Sequence, residues 1–234
     1  MELKMSFQTK DHICFVMDLM AGDLHHLLTH GRKYCRKNTS RWSAQMALGI
    51  NALHEMGIIH RDIKAENILV DIRENVKIAD FGLSYISEVP LDPKGEYISD
   101  VQGTIYCMVP EMLCNLDVNS MKYGPPVDWW SFGCVLYELM SKDNMARSSF
   151  ASFFAAISLI PSCQPLFDTV DDILDFLLWD SGYESLPEFD ELDISVADLV
   201  VGLLEPLPSY RYGFEQVKSH KYFKKEDETS EFDD

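Results

Sequence analysis

Positive charge is scarce in this sequence. Its 234 residues carry 20 Lys and Arg against 38 Asp and Glu, a formal net charge of −18. Between Arg147 and Arg211 there is no Lys, Arg or His, while twelve acids fall there, from Asp168 to Glu205. Such a balance argues against nucleic acid or an anionic membrane as the main partner, since both call for clustered cations. Ordered cysteine spacing is lacking as well. Cys14, Cys35, Cys107, Cys114, Cys134 and Cys163 form no CxxC pair, so a disulfide framework or a zinc site is not expected and a reducing compartment fits better. The opening residues have no apolar core of a signal peptide. The longest uncharged stretch, residues 148–167, is interrupted by several serines, Pro161 and Pro165, which does not read as a membrane span. The expectation is a soluble intracellular protein, cytoplasmic or nuclear.

What is present suffices for a core: 47% hydrophobic and 12% aromatic residues exclude global disorder. The acidic surplus reads either as a solvated face with a frayed C-terminal tail, or as a docking surface for basic peptides. Residues 3–7 alternate and residues 12–19 form a short apolar run, so two strands of a hairpin are predicted. Gly22 and Asp23 open a short helix through His30. The next helix is predicted to start near Thr39 or Ser40, to bury Trp42, Met46, Ile50 and Leu53, and to end at Gly57. Short strands are predicted at 68–70 and 76–78. Beyond Val109 the pattern turns helical: 127–140 is apolar on most sides, Asp168 or Thr169 caps another helix, and Ser195 opens one more. Few strands followed by many helices is an α+β pattern dominated by helix.

Chemistry concentrates in one ordered set. His60-Arg61-Asp62-Ile63-Lys64-Ala65-Glu66-Asn67 lies between two short apolar runs; Asp80-Phe81-Gly82 follows, then Gly103-Thr104, then Val109-Pro110-Glu111. Any one piece is weak, but the ordered set resembles the eukaryotic protein kinases over nearly all of residues 3–223. The lysine at position 64 is the serine/threonine pattern. The paired Trp129-Trp130 and the opening around Phe7 and Met17 are most similar to the AGC group. Phosphoryl transfer needs a carboxylate near the attacking hydroxyl and oxygen ligands for Mg²⁺, and Asp62, Asn67 and Asp80 supply those groups.

The resemblance implies a kinase-like fold in three parts: residues 1–20 as strands and hinge of a small lobe, 21–223 as the helical C-terminal lobe, and 224–234 as an acidic tail. It implies ATP and Mg²⁺, and protein substrates with basic peptides among them. Asp62 would take or orient the substrate hydroxyl proton, Asn67 and Asp80 would bind metal, Lys64 would steady the transferring phosphate, and Thr104 would bond near Asp62 and Lys64. Met17, Asp18, Met20, Asp23 and Leu69 would line the nucleotide site. His60 would stack with Phe81, beside Gly82. Asp128 would anchor the loop backbone, and Glu111 would pair with Arg211. Asp100 falls where the AGC pattern has a phosphorylated threonine, and could pair with Arg61.

The pattern also departs from the family. No Gly-rich loop, strand lysine or paired helix glutamate occurs in the 234 residues. Three explanations stand: a chain truncated at its N-terminus, a non-catalytic pseudokinase-like binding module, or an active minimal form. Cys107 stands where a tyrosine is usual, which puts peptide preference in question. The aromatic stretch 148–154 reads as extra core or a partner site. Glu66 and Glu138 match positions that hold substrate arginines in some relatives, although for Glu138 an ordinary helix polar residue is as good a reading. His25, His26 and His30 read as helix surface rather than metal ligands.

Overall fold

The computed structural model describes residues 3–100, 102, 109–113, 122–140, 194–225 and 229–233. Thr104, Cys107, the stretch 148–154 and the helix expected after Asp168 lie outside the described residues.

The chain opens with a hairpin, β1 (Leu3–Gln8) antiparallel to β2 (Ile13–Met17), with Gln8 opposite Ile13. Thr9 closes its turn: the Thr9 N–H donates to the His12 carbonyl at 2.8 Å, and the His12 N–H donates to Thr9 Oγ1 at 3.1 Å. Its apolar side chains stand in solvent on both faces, Leu3, Met5, Phe7, Ile13, Phe15 and Met17 alike. β3 (Gly22–Asp23) leads into α1 (Leu24–His30). Asp23 caps α1, its Oδ1 accepting the His26 N–H at 2.8 Å, which satisfies one of the orphan donors of a helix start.

α2 (Arg32–Glu55) begins seven residues before the expected Thr39. The correction has a local cause. Thr39 does not cap; its Oγ1 donates to the Cys35 carbonyl, four residues back, at 2.9 Å, the way a threonine satisfies itself inside a helix. Gly31 holds the cap position instead. The buried stripe is as the pattern requires, with Trp42, Met46, Ile50 and Leu53 in the core. Gly57, with φ +80°, turns the chain out of the helix in a conformation that glycine takes without a Cβ penalty.

Two small sheets follow. β4 (Ile58–Ile59) pairs with β7 (Tyr85–Ile86), while β5 (Ile68–Val70) sits between β3 and β6 (Val76–Ile78), all antiparallel. A 3₁₀ turn over Ala65–Asn67 leads into β5. The longer elements that follow are helices: α3 (Pro110–Leu113), α4 (Pro126–Met140), α5 (Ile194–Leu203) and α6 (Phe214–Ser219). Every residue of α4 from Pro126 to Leu139 is buried, so this helix is the post around which α2 and α5 pack. Gly133 makes the α5 approach possible: a Cβ there would stand 2.9 Å from Leu203 Cβ and from Leu204 Cδ2, inside any normal contact.

Residues 224–225 and 229–233 of the C-terminal segment are tied to the fold. Lys224 bridges Ser230, the Glu231 N–H donates to the Phe223 carbonyl at 3.0 Å, and Phe232 meets the rings of Phe223 and Phe214 at 4.9 and 6.1 Å. One aromatic side chain among the acids gives that turn apolar surface to bury. Among the described residues no helix is long and apolar enough to cross a membrane.

Candidate active site

The loop from β4 to β5 carries the His60–Asn67 set, and it is held from beneath by Asp128 of α4. That carboxylate is fully buried. Its Oδ2 accepts the His60 N–H and its Oδ1 the Arg61 N–H, both at 2.8 Å, and His54 Nε2 from α2 stands 2.8 Å from Oδ2. Burial works to raise the Asp128 pKa, but the His54 contact and the two amides outweigh it and hold the group below the usual carboxylate range. Asp128 was legible as an anchor. His54 was not, because only the crossing of α2 over α4 brings it there.

Above this anchor, Asp62 is 6% exposed. Lys64 Nζ lies 2.7 Å from Asp62 Oδ2, and Asn67 Nδ2 donates to both Asp62 Oδ2 and the Asp62 carbonyl at 2.9 Å. The three side chains expected to share the transfer chemistry are thus one bonded cluster. With Nδ2 directed at Asp62, the acceptor half of the Asn67 amide is turned the other way. The Ala79 N–H donates to the Asn67 carbonyl at 2.9 Å, so Asp80, the next residue, runs alongside Asn67. Asp80 takes φ +65° and its Oδ1 accepts the Gly82 N–H at 3.2 Å. An amide oxygen beside a carboxylate held by a turn is a hard-oxygen donor set that suits Mg²⁺.

His60 is buried, with Nε2 donating to the Ala79 carbonyl at 3.1 Å. That bond leaves Nδ1 as the acceptor of the Asp62 N–H at 3.3 Å. The Phe81 ring meets the imidazole edge-on at 5.1 Å, while Phe81 itself is half exposed.

Arg61 also takes a left-handed backbone, φ +68°, a conformation of low population that the surrounding bonds must fix. Its Nε donates to the Leu83 carbonyl at 2.5 Å, and its Nη1 reaches both Asp100 oxygens and Tyr123 Oη, each at 3.1 Å. Tyr123 Oη donates in turn to the Asp100 carbonyl at 2.7 Å. Burial first, and the Asp100 and Asp128 charges with it, raise the Tyr123 pKa against the opposing Arg61 contact. A backbone bridge from Ile98 to Tyr123 completes the junction. Sequence reasoning missed Tyr123, which belongs to no motif. It missed Lys94 too: Nζ donates to the carbonyls of Pro208 and Arg211 at 3.0 and 2.7 Å. Burial, then the Arg211 charge, lowers the Lys94 pKa.

Glu111 and Arg211 form a bidentate pair at 2.6 and 3.0 Å. The guanidinium also donates to the carbonyls of Glu205, Pro126 and Pro206 and lies 5.0 Å from the Trp130 ring centre, so no face of this buried cation lacks a partner. Among the residues expected to line a nucleotide site, Leu69 is paired opposite Asp23, and the nearby Ala21 N–H donates to the Val70 carbonyl at 2.8 Å. Asp23 Oδ1 is engaged as the α1 cap. Met20 is half-buried, Met17 is exposed, and Asp18 forms a surface ion pair with Lys4 at 3.2 Å. Glu138 is buried within α4.

Comparison with known proteins agrees with this geometry. The protein kinase domain model matches residues 1–223, and the chain belongs to the protein kinase family. It is 33% identical over 141 residues to the protein kinase C epsilon type of Oryctolagus cuniculus, covering 60% of this chain and 18% of that protein. It is 37% identical over 139 residues to the RAC serine/threonine-protein kinase of Drosophila melanogaster, 59% of this chain and 21% of that one. It is 38% identical over 142 residues to rhodopsin kinase grk7a of Danio rerio, 59% and 24% respectively. The matched stretch therefore spans about a fifth of the length of these relatives.

Proposed function

We propose that this chain carries the catalytic and substrate-side machinery of a serine/threonine protein kinase, transferring the γ-phosphoryl group of ATP to a hydroxyl on a protein. The observation that carries the reading is the Asp62 cluster: one buried carboxylate, fixed by Lys64 and Asn67 and hung on Asp128. In the reaction the substrate hydroxyl oxygen forms a bond to the γ-phosphorus, the bond from that phosphorus to the ADP oxygen breaks, and the hydroxyl proton passes to Asp62. Lys64, within reach of the same carboxylate, supplies positive charge where the transferring group acquires negative charge. Asn67 and Asp80 are the residues that would hold Mg²⁺, which when bound neutralises phosphate charge. Preset geometry, rather than new covalent chemistry, is the contribution of this lobe.

Arg61 and Asp100 extend the reading to control. A carboxylate bonded to the arginine that precedes Asp62 occupies the role that a phosphate fills in the AGC pattern, with one charge in place of about −1.5 to −2. The activation segment would then be held without phosphorylation at that position, while Ser99 next to it remains a rival site for a switch.

The test fuses a small lobe bearing a Gly-rich loop and a strand lysine ahead of Leu3, and follows labelled phosphate from ATP into Ser/Thr peptides. Transfer that falls by orders of magnitude in Asp62→Asn and in Asp80→Ala supports the reading. If the fusion binds Mg²⁺ and ATP but never labels a hydroxyl, the chain is a binding module, the second reading that the sequence left open.

A further inference from the structure

In a chain of net charge −18, the interval from Leu24 to His54 holds no acid at all. Arg32, Lys33, Arg36, Lys37 and Arg41, a quarter of the chain's 20 Lys and Arg, stand within ten residues of it. All five belong to the first three turns of α2. At 3.6 residues per turn, the buried Cys35, Thr39 and Trp42 fix the inward face, and positions 33, 36, 37 and 41 fall on the opposite side. Lys33, Arg36 and Lys37 are indeed exposed. Arg41 is half-buried and turned toward Glu74, whose carbonyl accepts from Nη2 at 2.5 Å and whose Oε2 lies 4.0 Å away. Glu74 is thus an acid on the rim of the face, already engaged with its own arginine.

We infer that this solvent face of α2 is a docking surface for an extended acidic segment of a partner polypeptide. The spacing selects the partner's form. Lys33 and Lys37, the exposed members of the row, stand about 6 Å apart along the helix. An extended chain shows one face every second residue, at about 6.6–6.8 Å, so acids at alternate positions meet the row in register. The charge balance selects a narrow partner over a broad one. A membrane or a duplex would oppose the net charge of the whole chain, whereas a single peptide strand engages only the row, and charges beyond about 8 Å are screened at physiological salt.

The experiment measures fluorescence anisotropy of a labelled peptide of alternating Glu and Ser, titrated with the 234-residue chain at low and physiological salt. Binding that weakens with salt, and that drops roughly tenfold or more in the Lys33→Glu/Arg36→Glu/Lys37→Glu variant, is expected, since three exposed pairs of modest energy are reversed. Lys218→Glu/Lys224→Glu on α6 and the following turn should bind as the parent does. Should the triple variant lose its far-UV helix signal, Lys33→Gln/Lys37→Gln gives the same reading with a smaller loss. The inference is overturned if the peptide does not bind, if the variants bind it as well as the parent, or if phosphatidylserine vesicles bind through these residues while the peptide does not. The readout is binding alone, so it stands or falls apart from phosphoryl transfer.

Discussion

The loop around Asp62 and the β1–β2 hairpin are both short pieces of backbone near the proposed nucleotide site, yet they are held in opposite ways. In the loop, backbone and side chains are tied to α4 through Asp128, to the residue after β6 through the Ala79–Asn67 bond, and to one another through Lys64 and Asn67. The hairpin is described by its own ladder, one tight turn and a surface ion pair, with apolar side chains exposed on both faces. The buried Asp62 and Asn67 side chains and the His60 amide are bonded, which makes each of those bonds costly to remove. In the hairpin nearly every side chain can change without leaving a buried group unpaired. The proposed transfer site is therefore preset by the helical core, while the described bonds of the hairpin are mainly those of its two strands to each other.

The sharpest way to break this contrast is Asp128→Ala. It leaves the His60 and Arg61 amides and the His54 ring without their acceptor in a fully buried place. At roughly 1–3 kcal/mol for each orphaned buried group, a loss of about 3–5 kcal/mol is expected, read as a shift in the urea midpoint. The same anchor gives a pH signature. Asp128 has its pKa depressed in the folded state, so its contribution is complete above the unfolded value of about 3.9 and disappears as pH falls through the lower folded value. The gap between parent and Asp128→Asn should therefore close as the medium is acidified through and below the ordinary carboxylate range.

Much of this loop was legible through the ordered motif set and the resemblance it carries, and its members lie at short range in the chain. Asp62, Lys64 and Asn67 sit within six positions, and their cluster follows once a turn brings them together. Glu111 and Arg211, a hundred residues apart, were legible only through the resemblance, since nothing local marks either as a partner. Thr39 misled because a good capping residue can also bond backwards inside a helix. Phe232 was hidden by its acidic surroundings, and the tail's turn is set by rings from α6 and the segment after it. The cations of α2 were countable, but their common face appears only when the helix starts at Arg32 rather than near Thr39. Tyr123, Lys94 and His54 share a different reason. Each makes its contact across the fold, where periodicity carries no signal.

Arg61 and its neighbours grade the comparison more finely. Arg61→Ala removes the ties to Leu83, Asp100 and Tyr123 together, while Asp100→Ala removes one half-exposed carboxylate. The first should cost about 2–3 kcal/mol of stability and the second no more than about 1 kcal/mol, as exposed ion pairs do. In the fused enzyme, Asp100→Ala should lower transfer while Ser99→Ala leaves it intact. Activity unchanged by Asp100→Ala would show that the carboxylate does not hold the segment.

Lys94→Met keeps the aliphatic stem and deletes the ammonium that joins Pro208 and Arg211. Because the lysine is exposed and its acceptors are neutral carbonyls, a loss of about 1 kcal/mol is expected. Faster amide exchange at residues 92–98 than at 58–60 would place the tie where the geometry has it.

The smallest effect is expected in the hairpin, and it is the one that most sharpens the contrast. Phe7 and Phe15 are 46% and 62% exposed, on strands whose backbone bonds to each other. Threonine keeps the strand preference of a branched side chain, so Phe7→Thr and Phe15→Thr should leave the urea midpoint within about 0.5 kcal/mol of the parent. Apolar surface on both faces of a two-stranded ribbon favours self-association, so the same substitutions should reduce binding of an environment-sensitive dye and shift any oligomer toward monomer on size exclusion. A drop of about 2 kcal/mol or more would mean that the rings are packed against something in solution. The hairpin would then be as tightly built as the Asp62 loop, and the difference between the two regions would vanish.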